Sequence, residues 1–203
     1  MDFKMAALLL GGLGMFLYGM KIMSDGLENA AGDRMRRTLE VLTTNRFSAV
    51  GVGAAVTALI QSSSATTVMA VGFVNAGLMT LVQATGVIMG ANIGTTITAQ
   101  LIAFQLTDIA PLILFAGMIM SVFVKKKKYN RIGMIVLGFG LLFVGISFMS
   151  DAMVPLRDNE TFTSYLINFN NPALGVLIGA VFTAVIQSSS ASVGILQALA
   201  MTG

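Results

Sequence analysis

The tetrapeptide Gln-Ser-Ser-Ser occurs twice, at residues 61–64 and 187–190, each time far inside an uncharged run. Residues 47–107 hold no Lys, Arg, Asp or Glu over 61 positions, and residues 161–203 hold none over 43. A serine hydroxyl accepts toward a cation or donates toward an anion, and glutamine does both through separate atoms. Neutral oxygens at broken helices suit sodium, and hydroxyls beside a helix N-terminus suit an oxyanion. Nucleophilic chemistry does not fit. The chain has no histidine or cysteine, and no Lys, Asp or Glu lies near either tetrapeptide to activate a hydroxyl. A serine hydrolase is therefore set aside and the chain is read as a non-enzyme. No cofactor is implied, and the absence of cysteine removes disulfides and thiolate metal sites.

A third polar stretch, "GANIGTT" at residues 90–96, offers Asn92, Thr95 and Thr96, with Gly90 and Gly94 expected to break the helix that carries them. Small and hydroxylated residues also serve close helix packing in membranes. That reading suffices for Ser121 or Ser147, but packing needs no glutamine followed by three serines, written twice.

The elements around these residues must lie in a bilayer. Hydrophobic residues make up 56% of the chain and charged residues 10%, against roughly 25% charged in soluble domains, and mean hydropathy is +0.85. The net charge of +3 points to no nucleic acid. Four of the twelve basic residues are Lys125, Lys126, Lys127 and Lys128, joined by Arg131, a pattern that reads as a cytoplasmic loop under the positive-inside rule. The N-terminal apolar run lacks a strong basic start and a cleavage site. It reads as a retained helix.

Sliding the chain along itself by 126 residues lays Gln61 on Gln187, and ten of the thirteen positions 53–65 are then identical. The same offset pairs Gly12, Gly19, Ser24, Asp25 and Asn45 with Gly138, Gly145, Ser150, Asp151 and Asn171. Residues 47–60 reach about 21 Å as helix at ~1.5 Å per residue, short of a ~30 Å hydrocarbon core. The polar tip therefore falls inside the membrane, and residues 47–79 are expected to form a re-entrant hairpin. With a helix over 5–23, a segment over 83–104 and a helix over 109–124, three net crossings precede residue 131. That parity predicts inverted repeats. Charge agrees: residues 25–46 carry four arginines against one, Arg157, in residues 151–172. The first stretch and residues 125–131 are then expected inside, with 151–172 outside.

The expected fold is thus an all-α integral membrane protein of inverted repeats with re-entrant helical hairpins, the second repeat incomplete. Residues 1–104 form the first repeat, ending in a broken helix over 83–104. Residues 105–130 supply a connecting helix and the basic loop. Residues 131–203 form the second repeat, which stops at Gly203, the counterpart of Gly77.

The paired QSSS tips, "GANIGTT" and the opening "GLGMFLYGMKIMSDGLENAAGDRMRRTLEVLTTN" together resemble the type II sodium–phosphate cotransporter family in its bacterial form. The resemblance implies that Gln61, Ser62, Ser63, Ser64, Gln187, Ser188, Ser189 and Ser190 contribute to binding sodium and phosphate. Thr66, Thr67, Asn92, Thr95, Thr96 and Ser192 are further candidates for the same site. It implies phosphate and sodium as partners, sodium as coupling ion, phosphate uptake by alternating access, and a multi-pass protein of the bacterial inner membrane. The missing counterpart of residues 78–104 departs from the family pattern. It leads to the expectation that the chain alone binds substrate without sustained transport, and leaves a homo-oligomer or a missing C-terminal segment open. The rival readings are a carrier of another oxyanion, such as sulfate or a carboxylate, and a non-transporting membrane scaffold or regulatory fragment.

Overall fold

Long apolar stretches give long helices here, and Asn45 and Asn171 mark where two of them start. In the computed structural model, residues 3–43, 45–104, 106–157 and 171–200 are described, and every regular element among them is helical. Helix α1 spans Phe3–Leu42. At ~1.5 Å per residue it is about 60 Å long, twice the ~30 Å hydrocarbon core. It therefore continues well past the expected end at residue 23, because nothing in this run of good helix formers ends it. Its apolar part is Phe3–Ala30.

Asn45 begins α2, Arg46–Ile60: its side-chain oxygen accepts from the N–H groups of Phe47 and Ser48 at 3.0 and 2.9 Å. Helix α3, Ser63–Asn75, ends at Gly77, whose φ of 72° lies in the left-handed region that glycine enters without a Cβ penalty. Thr80 and Gln83 then form a reciprocal capping box at the start of α4, Leu81–Ala103. Helices α5, Ala110–Phe123, and α6, Lys127–Arg157, follow, then α7, Pro172–Ile186, and α8, Ser189–Ala200.

The expected break in residues 83–104 is absent. Helix α4 runs unbroken through residues 90–96, and its glycines serve close approach instead. A Cβ at Gly90 would lie 2.0 Å from the Val50 carbonyl oxygen, and one at Gly94 2.4 Å from that of Ala54. These contacts advance together along both chains, so α2 and α4 are parallel, as a hairpin followed by a crossing requires. Helices α1 and α6, by contrast, are antiparallel: a Cβ at Gly19 would meet the Gly138 carbonyl oxygen at 2.7 Å, and one at Gly145 that of Gly12 at 2.6 Å. Phe16, Phe143, Ile146 and Met149 fill the core on this seam, and Leu39, Val56, Ile60, Phe73 and Val87 fill a second one.

Among the described residues, Phe3–Ala30, Leu81–Ala103 and Lys127–Pro155 are long and apolar enough to cross a membrane. Helices α7 and α8 meet at a 120° bend. Helix α2 buries Ala49, Gly53, Val56, Thr57 and Ile60, whereas its repeat equivalent α7 buries none of its residues. Of the stretch expected outside, residues 158–170 lie beyond the described residues.

Candidate functional site

Both tetrapeptides are the break of a helix–break–helix hairpin, and the two breaks have the same geometry. Gln61 adopts φ 61°, ψ 24°, and Gln187 φ 60°, ψ 22°; they are the only non-glycine residues at positive φ among those described. Glycine is usual at this position. The side chain explains the glutamine. Its Nε2 donates to the Ala58 carbonyl, and that of Gln187 to the Ala184 carbonyl, so the amide satisfies an acceptor that the ending helix leaves orphaned. Each glutamine N–H also reaches the Thr57 or Thr183 carbonyl at 2.7 Å.

The next residue opens the returning helix: Ser62 Oγ accepts from Ala65 N–H and Ser188 Oγ from Ala191 N–H, both at 3.2 Å. A staple closes each hairpin. Thr57 Oγ1 donates to Thr66 Oγ1 at 2.9 Å, and Thr66 donates on to the Ser62 carbonyl at 3.1 Å. Thr183 and Ser192 repeat this at 2.9 Å, with Ser192 donating to the Ser188 carbonyl at 3.1 Å. The hydroxyls of Thr66 and Ser192 are thus committed to hairpin geometry. Thr57 and Thr183 were not singled out from the sequence, although they stand in the window of ten identities that could have shown them.

The hydroxyls of Ser63, Ser64, Ser189, Ser190 and Thr67 and the amide of Asn92 bond to no protein group among the described residues. Ser189 and Ser190 face Asn92, Thr95, Thr96 and Thr98 of α4 across a cavity of about 200 Å³. It is a half-open cleft, since Asn92, Thr96 and Ser189 are exposed. Thr95 and Thr96 donate to the Ala91 and Ile93 carbonyls at 2.9 and 2.7 Å. Their lone pairs remain.

The first tip connects to this cleft through Thr98 of α4, which is one of the lining residues and whose Oγ1 donates to Gln61 Oε1 at 2.7 Å. Ser62, Ser63, Ser64 and Thr67 do not line it, and Gln187 is exposed. Ser24 of α1 donates to the Ile60 carbonyl at 3.1 Å, tying the first tip to the α1–α6 seam. Neither Thr98 nor Ser24 was picked out from the sequence. The repeat pairing of Ser24 with Ser150 was a signal, whereas Thr98 carried none beyond its nearness to "GANIGTT".

Among the described residues no charged side chain lines the cavity, and there is no cluster of Asp, Glu, His or Cys fit for a metal. The field there comes from the helix ends. The positive N-terminal end of α8 and the negative C-terminal end of α7 meet at residues 187–189, and α3 and α2 do the same at the other tip.

Long apolar helices, two polar helix breaks and a cleft lined by uncharged residues beside one of them define a multi-pass helical membrane protein. The chain belongs to the Na+/Pi-cotransporter family, whose sequence model matches residues 15–151. It is 30% identical over 196 residues to YjbB of Escherichia coli, provisionally named an inorganic phosphate export protein, covering 96% of this chain and 36% of that one. It is 32% identical over 189 residues to the uncharacterised YqeW of Bacillus subtilis, covering 93% of this chain and 61% of that one. Sodium-dependent phosphate transport protein 2A of Rattus norvegicus is 35% identical over 102 residues, which cover 48% of this chain and 16% of that one. The chain thus spans between about a third and three-fifths of the length of the bacterial relatives. No solved structure matches.

Proposed function

We propose that this chain forms the ion-binding core of a sodium-coupled phosphate carrier in the bacterial inner membrane. The observation that carries the reading is the cavity in which the unpartnered Ser189 and Ser190 hydroxyls converge with Asn92, Thr95, Thr96 and Thr98. Phosphate takes hydroxyl and amide donors and the N-terminal end of α8; sodium takes neutral oxygens, chiefly the glutamine carbonyls and the helix-end carbonyls at the tips. With no carboxylate at hand, bound sodium is the main local attraction for phosphate.

Alternating access then moves the two hairpins in turn, as units of inverted repeats. The antiparallel seam of α1 and α6 supports that inversion, since the two helices are repeat equivalents and a parallel repeat would run them the same way. YjbB is named for phosphate export and the rat relative for sodium-dependent phosphate transport. A coupled carrier is reversible, so direction follows the gradients.

The test is equilibrium binding of inorganic phosphate to the purified protein in sodium and in choline at one ionic strength, with sulfate as competitor. Phosphate binding that needs sodium and resists sulfate is expected. Equal binding in both cations removes the coupling, and sulfate that displaces phosphate with equal affinity points to a broader oxyanion carrier.

A further inference from the structure

Thr98 differs from the other threonines of α4 in where its hydrogen goes. Thr85, Thr95 and Thr96 donate to carbonyls of their own helix, at Leu81, Ala91 and Ile93, the usual outlet for a helical hydroxyl. Thr98, only 4% exposed, donates to Gln61 Oε1 of the neighbouring hairpin at 2.7 Å while also lining the cavity shared with Ser189 and Ser190. A hydroxyl has one hydrogen. It can serve the glutamine or a ligand in the cavity, but not both.

We propose that Thr98 is the hydrogen-bond relay that couples oxyanion binding in the cavity to cation binding at Gln61. The proposal rests on the phosphate and sodium reading of this site and deepens it. Gln61 cannot turn away, because its Nε2 is held by the Ala58 carbonyl, which keeps Oε1 aimed at Thr98. Without ligand, the threonine hydrogen occupies that oxygen and lowers its value to a cation. An oxyanion in the cavity is the stronger acceptor, since hydrogen bonds to charged groups exceed neutral ones. When the hydroxyl rotates toward it, Thr98 Oγ1 and Gln61 Oε1 face each other at hydrogen-bond distance with no hydrogen between them. Two oxygens so placed repel until a cation enters. Anion binding thereby prepares the cation site, and by linkage the cation strengthens the anion site equally. Among the described residues no side chain donates to Gln187 Oε1 in this way.

The test is Thr98→Val, which keeps the side-chain shape and removes the hydroxyl, oxygen and hydrogen together, with Thr98→Ser as the variant that keeps both. Sodium and inorganic phosphate are titrated singly and together into the purified full chain in lipid nanodiscs. The valine variant frees Gln61 Oε1 from the competing hydrogen but also loses Thr98 Oγ1 as a partner for the cation, so its sodium affinity is expected to stop responding to phosphate. The valine variant is expected to bind phosphate about 10- to 150-fold more weakly at saturating sodium, the worth of one donor to a charged group, and the factor by which each ligand tightens the other falls toward one. Serine restores coupling. A purely structural role lowers both affinities while leaving the factor by which each ligand tightens the other at its wild-type value, and that result overturns the relay. If wild-type protein binds phosphate with no dependence on sodium, the functional reading fails first and the relay with it.

Discussion

Ser190→Ala separates ligand chemistry from helix packing more cleanly than any other single change. Ser190 lines the cavity and its hydroxyl bonds to no protein group among the described residues, so alanine removes no hydrogen bond from the folded protein. If that hydroxyl donates to phosphate, its loss costs about 1.5–3 kcal/mol, the range for a hydrogen bond to a charged partner. At ~1.4 kcal/mol per decade this is a 10- to 150-fold weaker Kd. Thermal stability in the absence of ligand should move by less than about 0.5 kcal/mol, as for substitutions away from packed features. Ser192→Ala is the internal control, because its hydroxyl accepts from Thr183 and donates to the Ser188 carbonyl. That change is expected to lower stability by about 1 kcal/mol, one net intramolecular hydrogen bond. The assay is phosphate titration at saturating sodium, with a melting curve on the same sample. A Ser190→Ala protein that melts normally and binds phosphate with wild-type affinity refutes the assignment.

The packing of the two repeats predicts an asymmetry at equivalent glycines. Gly53→Ala would place a Cβ 2.2 Å from the Val87 carbonyl oxygen and is expected to cost about 1–3 kcal/mol through overpacking, whereas Gly179→Ala meets open space and should leave the melting temperature in place; equal losses would contradict the α2–α4 packing. Topology is read by cysteines introduced at Asn45 and Asn171, the exposed caps of equivalent helices in a chain with no cysteine of its own. Labelling from opposite faces of the membrane is expected, and labelling from the same face would sink the inverted-repeat reading.

Hydropathy and the repeat showed the helical membrane fold, the hairpins and the tip residues, because charge depletion and a 126-residue offset are properties of the chain alone. The length of α1 was misjudged, since a charged interface does not end a helix that has no breaker. The glycines of "GANIGTT" misled for a related reason: Gly permits both a break and a close approach, and only the position of Val50 and Ala54 against Gly90 and Gly94 decides between them. Likewise Thr66 and Ser192 were grouped with free hydroxyls because no local signal says that Thr57 and Thr183 stand opposite them. The Thr98–Gln61 bond joins residues 37 apart. Such a pairing is set by how α4 lies against the first hairpin, which no short pattern encodes.

The most direct test is the sodium dependence of phosphate binding itself. Purified protein in nanodiscs is titrated with inorganic phosphate at several sodium concentrations, with choline holding ionic strength constant. Sodium is predicted to tighten phosphate binding by about 5- to 150-fold, the usual span of a coupling free energy between sites, with phosphate tightening sodium by the same factor. Phosphate affinity that stays constant from sodium to choline, or phosphate that fails to bind the folded protein at all, would contradict it.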